Sequence, residues 1–146
     1  MNRYWLLGAL LMASLARAES GAAPFVPHPE GTERTPADYA AMLPVTSVRL
    51  SPGRVERRRL DVPGMQPLFL VGDDALSLTW LRQRGGALRT MQAVGLAVQV
   101  QDIAGLARLR AAAPGLSIMP VSGDDLALRL RIEHYPVLIT ATALEQ

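Results

Sequence analysis

Cysteine and lysine are both missing from this chain. Without a thiolate there is no redox nucleophile, no disulfide even in a compartment that permits one, and no cysteine to carry a lipoprotein anchor. Without lysine, Schiff-base chemistry and the phosphate-loop lysine are excluded, and all fifteen basic side chains are arginine. Histidine is nearly as scarce, with only His28 and His134. Two imidazoles with no thiol and no third ligand at helical spacing do not make a zinc site. The G-x-S-x-G elbow of serine hydrolases does not occur, so no catalytic group and no cofactor is assigned. After the first fifteen residues no apolar run approaches the ~20 residues of a membrane-spanning helix.

What is present begins at the N-terminus. Arg3, an apolar run over residues 4–15 and Ala16-Arg17-Ala18 read as an exported leader cleaved after Ala18. Removing it takes Arg3 and Arg17 away and lowers the formal charge from +2 to zero, so composition gives no support to nucleic-acid binding. The chain is then expected in the periplasm, with no stable membrane span. Residues 19–44 are expected as a flexible linker ending in a short helix, capped by Thr35, opened by Pro36 and stopped before Pro44.

Residues 45–146 read as one α/β domain with a single core. A weakly alternating strand over 45–50, a turn at Ser51-Pro52-Gly53 and an extended piece over 55–62 preface it. The run 67–71 is continuously apolar, as in a strand covered on both faces, and residues 75–89 follow with Leu76, Trp80, Leu81 and Leu88 at helical spacing. Phe69 and Trp80 fall on core positions. A buried strand at 94–100, a helix around Ile103, Leu106 and Leu109, a strand at 116–121, a helix at 124–130 and a last strand at 137–140 continue the alternation. Such a pattern predicts a mainly parallel sheet sandwiched by helices.

Three groups of residues bear chemistry. Gly72-Asp73-Asp74 and Gly123-Asp124-Asp125 each sit where a strand hands over to a helix, the usual ligand crevice of such a sheet. Asp73, Asp74, Asp124 and Asp125 form either an acidic edge for a hard cation or phosphate ligand or helix caps. Arg54, Arg57, Arg58 and Arg59 form the one dense basic run, either a charged edge strand guarded against pairing or a contact for an acidic partner. His134, Tyr135 and Pro136 precede the last strand, where a peptide could pair with the backbone.

Four stretches carry a resemblance: SPGRVERRRLDVPG (51–64), PLFLVGDDALSLTWL (67–81), AVGLAVQV (93–100) and PVSGDDLALRLRIEHYPVLIT (120–140). Together they resemble a small exported protein family of integrating conjugative elements, encoded in the gene clusters of a type IV secretion-like transfer apparatus. The arrangement is also similar to the thioredoxin-like periplasmic proteins of conjugal pilus assembly. The resemblance implies a thioredoxin-like domain acting without catalysis, with other envelope proteins of the transfer apparatus as partners and His134, Tyr135 and Pro136 as a protein-binding groove. Where a thioredoxin carries Cys-x-x-Cys, this chain has Gly72-Asp73-Asp74-Ala75-Leu76-Ser77. Little chain follows Thr140, so the fold is either trimmed at its end or supplemented from the N-terminal segment.

Overall fold

Capping chemistry starts the first described element. In the computed structural model, which describes residues 34–146, the Thr35 hydroxyl accepts the Asp38 N–H while the Asp38 carboxylate accepts the Thr35 N–H, and Pro36 sits in the first turn of α1 (Pro36–Ala41). This is the capping box. The expected leader and the linker up to residue 33, with His28, lie outside the described residues. After α1 come β1 (Ser51–Pro52), β2 (Arg58–Arg59), β3 (Leu68–Gly72), α2 (Ala75–Thr90), β4 (Val94–Gln99) and α3 (Ile103–Ala112). The chain continues through β5 (Ile118–Pro120), α4 (Asp124–Leu130), β6 (His134–Tyr135), β7 (Val137–Ile139) and β8 (Ala143–Glu145). The expected linker helix is not outside the domain. Tyr39 and Leu43 pack against the core, and the Arg110 guanidinium lies 4.2 Å from the Tyr39 ring centre, a cation–π contact.

The six-stranded sheet has the order β2-β8-β7-β3-β4-β5 and is mixed rather than mainly parallel. Strands β3, β4 and β5 run parallel, as their intervening helices require, whereas β7 is antiparallel to β3, and β8 is antiparallel to both β7 and β2. The reason lies in the connections. The seven residues of α4 rise only about 10 Å, and β7 starts with Val137 opposite Leu70, near the edge where β3 ends. It therefore runs back along β3. The three residues between β7 and β8 permit only a hairpin. Strand β8 itself was not expected from the sequence, nor were β1 and β6, which form a separate parallel pair. Residues 45–50 are not a strand; Val45 makes one isolated bridge to Val100.

Period-two alternation divides the apolar residues between two faces. Phe69, Val71, Ala97 and Leu138 point to the side of α2 and α3, meeting Trp80, Leu81, Leu88, Leu106 and Leu109. Phe69 and Trp80 are core residues as expected, with ring centres 6.1 Å apart. On the opposite face Leu70, Val98, Val137 and Ile139 pack with Ala127, Ile132 and Tyr135. That face is closed by the segment leading into β3: Leu50 is in its core, and Val55, Leu60 and Met65 pack against it. The segment N-terminal to β3 thus forms part of the domain's core.

Polar bonds hold this arm in place. The Ser47 hydroxyl donates to the Val98 carbonyl at 2.6 Å and accepts the Gly123 N–H at 2.9 Å. The Asp124 carboxylate accepts the N–H groups of Val48 and Arg49 at 3.2 and 2.9 Å. Farther along, Leu60 and Val62 donate to the carbonyls of Thr142 and Ala141. Both sheet edges are blunted. Strand β2 carries exposed Arg58 and Arg59, the guarded edge read from the sequence, while on β5 Arg110 binds the Ile118 carbonyl and Pro120 has no N–H to offer.

Because the Ser47 hydroxyl is buried and serves two backbone groups, Ser47→Ala leaves both unpaired and is expected to lower stability by about 2 kcal/mol in urea unfolding. The exposed neighbour provides the control: Thr46→Ala should stay within about 0.5 kcal/mol. Equal effects would show that the arm is not anchored at Ser47.

Candidate functional site

The parallel strands end together at one edge, and the two Gly-Asp-Asp motifs meet different fates there. Asp74 is the N-cap of α2. Its carboxylate accepts the Ser77 N–H at 3.0 Å and the Ser77 hydroxyl at 2.8 Å, and that hydroxyl in turn accepts the Gly72 N–H at 3.0 Å. Asp73, carried past a register shift at the end of β3, leans on α3 and forms a bidentate pair with Arg108 at 2.7 and 3.2 Å. The pairing holds the Arg108 guanidinium above its ordinary range, first through the hydrogen bond and then through the charge. Asp102, not singled out from the sequence, caps α3 by accepting the Gly105 N–H. It shares the strand-to-helix position that identified Asp74.

At the second motif the cap is Gly123, with no side-chain hydrogen bond. Asp124 is spent on the arm, and Asp125 makes an exposed pair with Arg129 one turn on, at 3.3 Å. The four carboxylates thus serve four different contacts: a helix cap, the backbone of the arm and two separate ion pairs. Among the described residues no three His, Asp or Glu side chains converge in a way that would hold a metal ion.

The groove expected beside Tyr135 and Pro136 is filled by the chain itself. Strand β1 pairs in parallel with β6: the Ser51 N–H donates to the Glu133 carbonyl at 3.1 Å and the Gly53 N–H to the Tyr135 carbonyl at 3.0 Å. The Gln146 side-chain amide, also unmarked in the sequence, ties the Gly53 and Pro136 carbonyls together at 2.8 and 3.0 Å. The Tyr135–Pro136 peptide is cis. Tyr135 is only 2 % exposed, and its ring lies against Gly72 so closely that a Cβ there would come within 2.5 Å of it. Tyr135 and Pro136 are therefore core residues rather than groove walls, which corrects the expectation. His134 remains partly accessible, with Nδ1 3.1 Å from the Ser51 hydroxyl.

Instead, the fold brings His134 together with the arginine run. A surface cleft of about 430 Å³ lies between the arm residues Arg54, Arg57 and Arg58 and the α4–β6 turn, which contributes Arg131, Glu133 and His134. Arg59, the fourth of the run, faces a neighbouring depression beside Thr142. Arg58 donates to the Leu130 carbonyl, and Arg57 sits 3.7 Å from Glu145, which is also 3.4 Å from Arg84. Among the described residues Arg54 and Arg131 have no ion-pair partner. Arg131 was missed by sequence reading because it stands alone, more than seventy residues from the run it joins. Among the described residues no helix is long and apolar enough to cross a membrane.

The family described as a protein of unknown function, DUF2859, matches residues 8–144, so the chain belongs to that family. No curated protein and no solved structure matches it.

Two outcomes test these assignments. Asp74→Ala removes a cap and unties Ser77, and is expected to cost about 1–2 kcal/mol in urea unfolding, whereas Asp125→Ala, which loses only an exposed pair, should cost under about 0.5 kcal/mol. Burial first, and the Asp74 charge second, push the Tyr135 phenol up to about 12. The unfolded phenol ionises near pH 10, so between pH 10 and about 12 only the unfolded chain releases this proton and stability falls. The expected loss is about 2–3 kcal/mol. Tyr135→Phe should flatten that part of the stability profile, and a slope identical to the parent's would place the ring in solvent.

Proposed function

For this member of the family, we propose a non-enzymatic, periplasmic role as a protein-binding and assembly component of the transfer apparatus of an integrating conjugative element. Its core is read as thioredoxin-like. The β3–α2–β4 unit, the β7–β8 hairpin beside β3 and the proline that opens β7 support that reading. So does the resemblance of residues 51–64, 67–81, 93–100 and 120–140 to exported proteins of conjugative elements. The leader-like residues 1–18 support export.

One observation carries the non-catalytic part: the strand-end edge is consumed by the chain's own structure. Asp74 and Ser77 are locked in a cap, Asp73 is paired with Arg108, and Ser51–Pro52 occupies the backbone of His134–Tyr135. Each of these atoms has a partner that belongs to the fold, which supports a structural use of this edge. What the surface offers is the arginine cleft beside His134, and polypeptide recognition suits a concave, multiply charged surface.

Removing the chain by in-frame deletion from donor cells that carry the element tests the role. Transfer to recipients is expected to be lost and to return when the full chain is supplied in trans. Undiminished transfer from the deletion donor would overturn the proposal.

A further inference from the structure

The turn that ends α4 carries a side chain that its backbone does not favour. Arg131 has φ 54° and ψ 52°, the left-handed conformation that terminates the helix. Glycine is the common residue there because a Cβ makes this region costly. An arginine there bears a local conformational cost, as does Gln92, with φ 54° just after α2. The Arg131 side chain lines the cleft with Arg54, Arg57 and Arg58, and within the described residues it forms no ion pair.

We propose that the cleft between the arm and the α4–β6 turn docks an extended acidic segment of a partner protein, with an apolar side chain between its carboxylates. The inference rests on the protein-binding reading above and gives it a surface and a partner chemistry. Arg54 and Arg131 supply the free guanidinium forks, which match carboxylates in pairs. The lining also includes Val55, Ile132 and Leu144; the last two are core residues only 4 % and 3 % exposed, so the half-buried Val55 is the apolar side chain the cleft offers to the incoming segment. Glu56 and Glu133 stand among the arginines. They reject a uniformly anionic sheet such as a lipid surface, and they impose a spacing on the carboxylates that are accepted. At about 430 Å³ the cleft suits a segment rather than a folded face.

The test is fluorescence anisotropy of the full chain with a labelled peptide of alternating glutamate and leucine, its lysine–leucine counterpart, and phosphatidylglycerol vesicles as a competing surface. The acidic peptide is expected to bind, with affinity falling as salt is added. Arg131→Gly relieves the backbone conformation, so it should melt no lower than the parent and still bind about tenfold more weakly, as should Arg54→Glu. Arg82→Glu, exposed on α2 and outside the cleft, should bind like the parent. The proposal is overturned by equal binding of the lysine peptide, by parental affinity in Arg131→Gly, or by binding to vesicles alone. If the acidic peptide fails to bind while deletion of the chain still abolishes transfer, the cleft assignment falls and the assembly role stands. Undiminished transfer on deletion removes the role itself, whatever the peptide does.

Discussion

A sheet that is apolar on both faces must be covered on both. In β3 the side chains of Phe69 and Val71 go one way and Leu70 goes the other, all fully buried, and each such burial is worth about 1.5–3 kcal/mol. Helices α2 and α3 cover the first face. The second has only the seven-residue α4, too short to span it, and the arm from Ser47 to Met65 supplies the remainder through Leu50, Val55, Leu60 and Met65. Most other features follow from that requirement. Ser47 and Asp124 exist as anchors because the arm must cross the strand ends in one register, and β1 pairs with β6 because the arm's path lies along Glu133–Tyr135.

The same path sorts the charges. The acidic residues near the strand ends are drawn into hydrogen bonds: Asp74 and Asp102 with the first N–H groups of helices, Asp124 with the arm's backbone, Asp73 with Arg108. Carboxylates are natural partners for exposed N–H groups, particularly at the positive end of a helix dipole. Arginines 54, 57 and 58 are carried across the molecule to the α4–β6 turn, where the nearby carboxylates are fewer. A chain whose formal charge is only +2 therefore gathers a basic cleft by topology rather than by composition.

Much of the helical content was legible in advance. The helix expected at residues 75–89 is α2 to within one residue, and α4 occupies the expected span, since both have clear apolar periodicity and an acidic start. Thr35, Pro36 and Asp74 marked helix starts through local chemistry that needs no tertiary partner. The strands β1, β6 and β8 were not legible. Ser51-Pro52 has the composition of a turn, His134-Tyr135 that of a loop, and Ala143–Glu145 shows no apolar run, because each becomes a strand only by pairing with residues far away in sequence. The candidate site divided in the same way. The arginine run and His134 could be picked out separately, but their meeting through Arg131 could not.

Local chemistry, read along the chain, was sufficient for the absence of thiol and amine chemistry, the βα alternation, the helix caps and the core positions of Phe69 and Trp80, since each depends on residue type or on periodicity within a few turns. Strand direction, the closing of the second face by the arm, the burial of Tyr135 beneath Gly72 and the assembly of the arginine cleft required the folded chain. These depend on contacts between segments some eighty residues apart, such as Ser51 with Glu133 and Ser47 with Gly123. Nothing in the vicinity of any one of those residues encodes its partner.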